Sequence, residues 1–225
     1  MVEKKVRGKK KQKKKKKKND PRKLEILGAV HALGKACGFV GDFDAGRRYY
    51  KRAKEGYEEQ LGRDSEKALE ATRDLIGSDG ESVNEQIEKF RDLLKRCERT
   101  LGEENVVTVD MLNELGCELN ETRNCEEAKV VWESCLAGRM KVLGEDHNDT
   151  FGTLHNLGSV YMDLKNYEKA SEYYERALKG SERTLGMNHP QTIMAVASIA
   201  SVYAIANDYG KAEELYKRSL EGREA

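Results

Sequence analysis

The stretch Gly28-Ala29-Val30-His31-Ala32-Leu33-Gly34-Lys35-Ala36 comes nearest to a recognisable chemistry in this chain. A phosphate-binding loop needs four residues between its glycines, a lysine for the phosphates, and a Ser or Thr for magnesium. Here five residues separate Gly28 from Gly34, and Ala36 stands where the hydroxyl belongs, so nucleotide binding is not expected. Five cysteines (Cys37, Cys97, Cys117, Cys125, Cys135) form no Cys-x-x-Cys pair and are an odd number, which points to reduced thiols in a packed interior. His147 and His189 fall in corresponding linkers and read as loop-packing or capping residues rather than metal ligands. There is no nucleophile elbow, no His-Glu-x-x-His and no Cys/His metal spacing. The acids recur as i,i+4 partners of Lys and Arg, the pattern of solvated helix faces. Catalysis, metal and cofactor are therefore not expected, and binding is the chemistry left.

The other charged motif is at the start. Residues 1–18 hold eleven lysines and Arg7 against Glu3, a charge of +11; with a net charge of +1 overall, residues 19–225 carry −10. Lys9, Lys10, Lys11, Lys13, Lys14, Lys15, Lys16, Lys17 and Lys18 resemble a nuclear-localisation or nucleic-acid patch. Without aromatic neighbours they can neutralise phosphates but not read bases, so contact with nucleic acid or an anionic surface would be nonspecific. Residues 1–20 are expected to be a tail that is disordered on its own, and residues 21–225 a separate folded unit.

That unit is periodic. Leu-Gly recurs at Leu61-Gly62, Leu101-Gly102, Leu143-Gly144 and Leu185-Gly186, giving spacings of 40, 42 and 42 residues. Between two such marks, Leu154, Leu157, Gly158 and Tyr161 share one helical face, and Ala170, Tyr174, Ala177 and Leu178 share another. Each period is thus two amphipathic helices joined by a turn, and a period of this length marks a helical solenoid. The expected fold is all-α, a right-handed α-solenoid of about five helix-turn-helix repeats. The second repeat is degenerate: it is two residues short near Gly77-Ser78-Asp79-Gly80, and a first helix of about residues 65–76 is expected there. Asp20 and Pro21 read as the N-cap and first residue of the first helix, and Gly41-Asp42 as a turn. A composition of 38% hydrophobic and 36% charged residues suits thin stacked layers rather than one large core. No run of eighteen apolar residues, secretory leader or Met-Gly start is present, so the expected location is the cytosol, or the nucleus through the lysine run, with Asn120 and Asn148 unglycosylated.

The bulky residue, Leu-Gly, Tyr, Ala, aromatic and Ala at Leu154, Leu157-Gly158, Tyr161, Ala170, Tyr174 and Ala177 resemble the tetratricopeptide repeat. The linkers LGMNHPQT (185–192), LGEDHNDT (143–150), LGEENVVT (101–108) and LGRDSEKA (61–68), with the 42-residue period, resemble its kinesin light chain branch. No heptad coiled coil for a motor subunit precedes the repeats. In this reading the aromatics fill the space between hairpins, the Leu-Gly glycines take a left-handed C-cap, and Thr108, Thr150 and Thr192 cap the following helices. The resemblance implies a concave face lined by the first helix of each repeat, where an extended peptide of a partner protein would lie. The residues it assigns to that groove are His31, Lys35, Asn113, Cys117, Asn120, His155, Asn156, Ser159, Asp163 and Ser201. Asn113 and Asn156 stand out, because a side-chain amide can bind a peptide backbone whatever its sequence. The groove would be basic at His31 and Lys35 and polar to mildly acidic at its centre. The function expected is a non-enzymatic interaction scaffold with no small-molecule substrate; the alternative is a polyanion-associated nuclear factor acting through the lysine tail.

Overall fold

The computed structural model describes residues 19–224; the lysine run and its expected disorder lie outside the described residues. Among the described residues ten helices follow one another: α1 (Pro21–Phe39), α2 (Phe43–Leu61), α3 (Glu66–Ser78), α4 (Val83–Leu101), α5 (Val106–Glu121), α6 (Cys125–Val142), α7 (Asn148–Asp163), α8 (Tyr167–Leu185), α9 (Pro190–Ile205) and α10 (Tyr209–Glu224). They pair as five hairpins stacked in chain order, and no strand occurs among the described residues. The shortened helix of the second repeat is α3, thirteen residues against sixteen in α5, α7 and α9.

Local chemistry sets the helix ends. Asp20 accepts from the Arg22 N–H, with Pro21 at the first helical position, as its lack of a donor favours. Four of the hairpin turns repeat one device. A residue with positive φ (Gly41, Arg123, Lys165, Asn207) is followed by Asp or Asn, whose N–H returns to the preceding helix, as in Asn166 N to Tyr161 O at 2.9 Å. That Asx residue then opens the next helix, Asp42 accepting from Ala45 N and Asn166 from Lys169 N.

The linkers agree with expectation at the histidines and depart from it at the threonines. Asn105, His147 and His189 are the caps, with His147 Nδ1 accepting from Asp149 N at 3.1 Å and His189 Nδ1 from Gln191 N at 3.3 Å. Thr108, Thr150 and Thr192 do not cap. Their hydroxyls donate backwards to the carbonyls of Gly102, Gly144 and Gly186 at 2.7, 2.8 and 2.8 Å, tying each linker to the helix it precedes. A threonine two or three residues inside the helix is too late to meet the first free N–H groups, whereas the Leu-Gly carbonyl is within its reach. The glycines have positive φ but not the left-handed helical conformation: Gly186 sits at φ 92°, ψ 169°, a region only glycine occupies without strain.

The core runs as thin layers between helices. In the first, third and fourth repeats the aromatic of the second helix rests on the glycine of its own first helix. A Cβ on Gly158 would lie 2.5 Å from the Tyr174 ring, and one on Gly116 would lie 2.6 Å from Trp132. Cys97 and Cys135 are buried core residues, while Cys37, Cys117 and Cys125 are half-buried; all five are free thiols. Each first helix except α1 is also covered by the second helix of the preceding repeat. Leu157 is therefore 0% exposed, while its counterpart Leu33 is 49% exposed and Ile26, matching buried Thr150, is 57% exposed.

Candidate functional site

The first helices α1, α3, α5, α7 and α9 form a row, and polar side chains cross from one to the next. Between α1 and α3, His31 Nε2 donates to Asp74 Oδ2 at 2.8 Å, and Lys35 Nζ lies 2.9 Å from Glu70 and 3.6 Å from Asp74. Between α3 and α5, Arg73 binds Asp110 at 2.8 Å while holding Asp74 at 2.7 Å. Arg139 of α6 continues the chain, 3.8 Å from Asp110, and donates to the Asp149 carbonyl at 2.9 Å and to Thr153 at 2.7 Å. Between α7 and α9, His155 Nε2 shares a 2.9 Å hydrogen bond with Ser198.

These bridges correct the expected basic end of the groove. His31 is buried, and both His31 and Lys35 are matched by acids from the next repeat. Burial alone would raise the Asp74 pKa, but hydrogen bonds from His31 and Arg73 hold it down at about 2. Burial opposes the charge on Arg73, yet Asp74 and Asp110 raise its pKa above the ordinary value. The neighbouring Glu114 moves the other way, burial pushing its pKa up with Arg73 opposing. His31, Glu70 and Asp74 present three metal-type ligand atoms within 4.8 Å of one another. The Lys35 ammonium already lies against both carboxylates, supplying the positive charge a metal ion would bring.

Other expected groove residues are also engaged. Ser159 donates to the His155 carbonyl at 3.2 Å and shares a 3.1 Å hydrogen bond with the Tyr174 hydroxyl. Ser201 repeats both contacts with Ala197 and Tyr216, at 3.0 and 2.9 Å. Asn113 reaches only its neighbour Glu114, at 3.4 Å. His155 packs against the Tyr174 ring, and burial lowers its pKa. Asp163 is exposed at the last residue of α7.

The joint between α5 and α7 differs from its neighbours: among the described residues, no side-chain hydrogen bond or ion pair runs directly from one first helix to the other, and the link is made by Arg139 of α6 at Asp110 and Thr153. A cavity of about 240 Å³ lies there, lined by Cys117, Asn120 and Glu121 of α5, Trp132 of α6, and Asn156 and Ser159 of α7. Four expected groove residues thus converge from two repeats. Burial holds the Cys117 thiol at a pKa of about 11, so it is a neutral wall rather than a nucleophile. Two buried polar atoms of this wall, Trp132 Nε1 and Asn120 Oδ1, have no hydrogen-bond partner. A larger cavity of about 530 Å³ borders α3 and α4, but its Lys54, Lys89 and Arg96 are each paired to an acid of the protein.

The tetratricopeptide-repeat family model matches residues 149–225 and, in a second form, residues 108–149. The chain is a tetratricopeptide-repeat protein. Among solved structures, this tetratricopeptide-repeat protein is similar to BtubC (BKLC) from P. vanneervenii: TM-score 0.78, 21% identity, covering 91% of this chain and 82% of that one. It is likewise similar to a protein of Podosopora anserina described as a kinesin light chain with nearly identical TPR-like repeats, with TM-score 0.73, 19% identity, and coverage of 89% and 95%. A Rap protein complexed with competence and sporulation factor shares the fold over 86% of this chain but 52% of its own length, at TM-score 0.68 and 18% identity. No curated protein matches the chain in sequence. The relatives establish a kinesin light chain-like stack of tetratricopeptide repeats.

Arg73, Asp74 and Arg139 were missed by the sequence reading. Arg73 stands 42 residues after His31 and 40 before Asn113, so the period itself pointed to it. The absent Leu-Gly in α3, where Leu75-Ile76 stands instead, hid that register.

Proposed function

We propose that this tetratricopeptide-repeat protein is a non-enzymatic interaction scaffold that binds an extended peptide segment of a partner protein along its row of first helices. The observation that carries this reading is the α5/α7 joint, where Asn120, Asn156, Cys117 and Ser159 line one cavity while the neighbouring joints are closed by the protein's own side chains. The Rap protein complexed with competence and sporulation factor supports the reading at the level of the fold. A catalytic role gains no support from the one nucleotide-like stretch, since Gly28 to Ala36 lies inside α1. No helix of the described residues is long and apolar enough to cross a membrane. A cytosolic location, with nuclear entry through the lysine run, accompanies the proposal.

Replacing Asn156 with Glu in the full chain puts a bulky charge into the cavity without touching a core contact. Partner capture is expected to fall at least tenfold, about 1.4 kcal/mol, with helicity unchanged by circular dichroism. Undiminished capture of the same partners would remove the groove from this account.

A further inference from the structure

Two kinds of glycine contact close the hairpins, and the second hairpin alone has neither. In one, the second-helix aromatic lies on a first-helix glycine: Tyr50 on Gly34, Trp132 on Gly116 and Tyr174 on Gly158. In the other, a first-helix side chain lies on a second-helix glycine: Leu27 on Gly56, Val109 on Gly138, Phe151 on Gly180 and Ile193 on Gly222. The fifth hairpin keeps the second contact and has Ala200 at the first. At the corresponding positions the second hairpin holds Ile76 and Arg96. A glycine lets a facing side chain reach the helix backbone, whereas a branched Ile and a long Arg hold it away.

Space is left where those contacts are missing. Ile76 and Arg96 both line the cavity of about 530 Å³ beside α3 and α4. The matching crevices beside Gly138 and Gly180 hold about 320 and 210 Å³. The larger one continues inward to Leu75, Ile76 and Leu93, and Thr72 stands in it where the others have Leu112 and Leu154. The core divides at the same helix. Ala68 and Ala71 of α3 pack with Val30, Ala53 and Tyr57 of the first hairpin. Leu69 and Ile76 belong instead to the core that runs on through α9.

We propose that the second hairpin is a hinge, at which α1–α3 move as one body against α4–α10 while the cleft between α3 and α4 opens and closes. The pivot lies on the row of first helices, where Arg73 of α3 holds Asp110 of α5 at 2.8 Å. On the second-helix side, Arg96 of α4 reaches back to Asp64 at 3.1 Å and to the Arg63 carbonyl at 2.9 Å. Partly exposed polar links of this kind contribute little and tolerate small changes of angle, unlike an aromatic ring seated on a glycine. The motion turns the His31–Asp74 end of the row relative to the α5/α7 cavity, and no helix has to unfold for it.

The hinge can be measured in the full-length protein by pulsed electron spin resonance. Nitroxides are attached through a ketone-bearing amino acid, which leaves the five native cysteines unlabelled. Glu55, Lys95, Ala137 and Lys179 occupy the same exposed position on α2, α4, α6 and α8. Labels at Glu55 and Ala137 span two repeats across the cleft, and labels at Lys95 and Lys179 span two repeats beyond it. The first pair should give a distance distribution at least twice as wide as the second; equal widths would overturn the proposal. Thr72→Leu puts the residue of the third and fourth repeats into the cavity, and should narrow the first pair to the width of the second. A wide first distribution that survives this substitution would move the motion away from the cleft and overturn the proposal as well. The wild-type comparison needs no core substitution, so it decides even where the variant fails to fold. Neither measurement includes a partner, so the result is independent of peptide binding.

Discussion

Asp74 accepts hydrogen bonds from His31 and Arg73 with its side chain nearly closed off from water, and these contacts keep it charged where burial alone would not. Its carboxyl is held at about 2, below the ordinary 3.8. A carboxylate with a depressed folded pKa stabilises the fold above its unfolded pKa, and that contribution is lost as pH falls through the folded value. The shift corresponds to about 2 kcal/mol. Asp74→Asn should therefore lower stability by about that amount at pH 7, and the loss of wild-type stability between pH 4 and pH 2 should flatten in the variant. Urea titrations of both proteins at pH 7, 4 and 2 measure this; parallel acid limbs would refute it. The His31 contact could not be read from α3 alone, because His31 lies 43 residues away in sequence.

At the scale of the helix, the same sequence position has different energetic weight in different repeats. Leu33 and Leu157 both precede the glycine of a first helix, and the periodic pattern treats them alike. Helix α6 covers Leu157, whereas nothing among the described residues covers the outer face of α1, where Ile26 and Leu33 are exposed. Leu157→Ala should cost about 2–5 kcal/mol as the core opens a cavity, and Leu33→Ala less than about 1 kcal/mol. Chemical denaturation of the two variants checks the contrast, and equal losses would mean that α1 is covered in solution. Helix boundaries were far more legible than these weights. Asp20-Pro21 and the Leu-Gly pairs mark starts and ends through local hydrogen bonding and φ preference, which neighbours in sequence decide. The threonines show the limit of that reading: a residue type common at caps sat near a helix start, and its hydroxyl served another carbonyl.

Over the whole molecule, the stack behaves as a line of units that touch mainly their neighbours, preceded by a segment of opposite charge. Residues 1–18 carry +11 and the remainder −10. Deleting residues 1–18 should abolish binding to double-stranded DNA while leaving the melting temperature and partner capture intact. In the full chain that binding should weaken by about 10³–10⁵ between 50 and 200 mM salt if six to ten phosphates are contacted. Filter binding across a salt series reads the first effect and affinity capture the second. Loss of partner capture along with DNA binding would transfer the interaction role from the repeats to the tail.

The period, the helix pairs and the turns were determined by sequence alone, because each depends on residues within a few turns of one another. Which polar side chains remain open to a ligand was decided only by tertiary structure. His31 and Lys35 looked like groove cations until Asp74 and Glu70 of the next repeat met them, and Ser159 and Ser201 looked free until their own tyrosines did. Trp132 is a core aromatic in packing, yet its buried indole N–H lacks an acceptor, and Cys117 stands where the fourth and fifth repeats carry a serine. Hydrogen-bond satisfaction depends on the distance between helices from different hairpins, and the helical period carries no information about that distance.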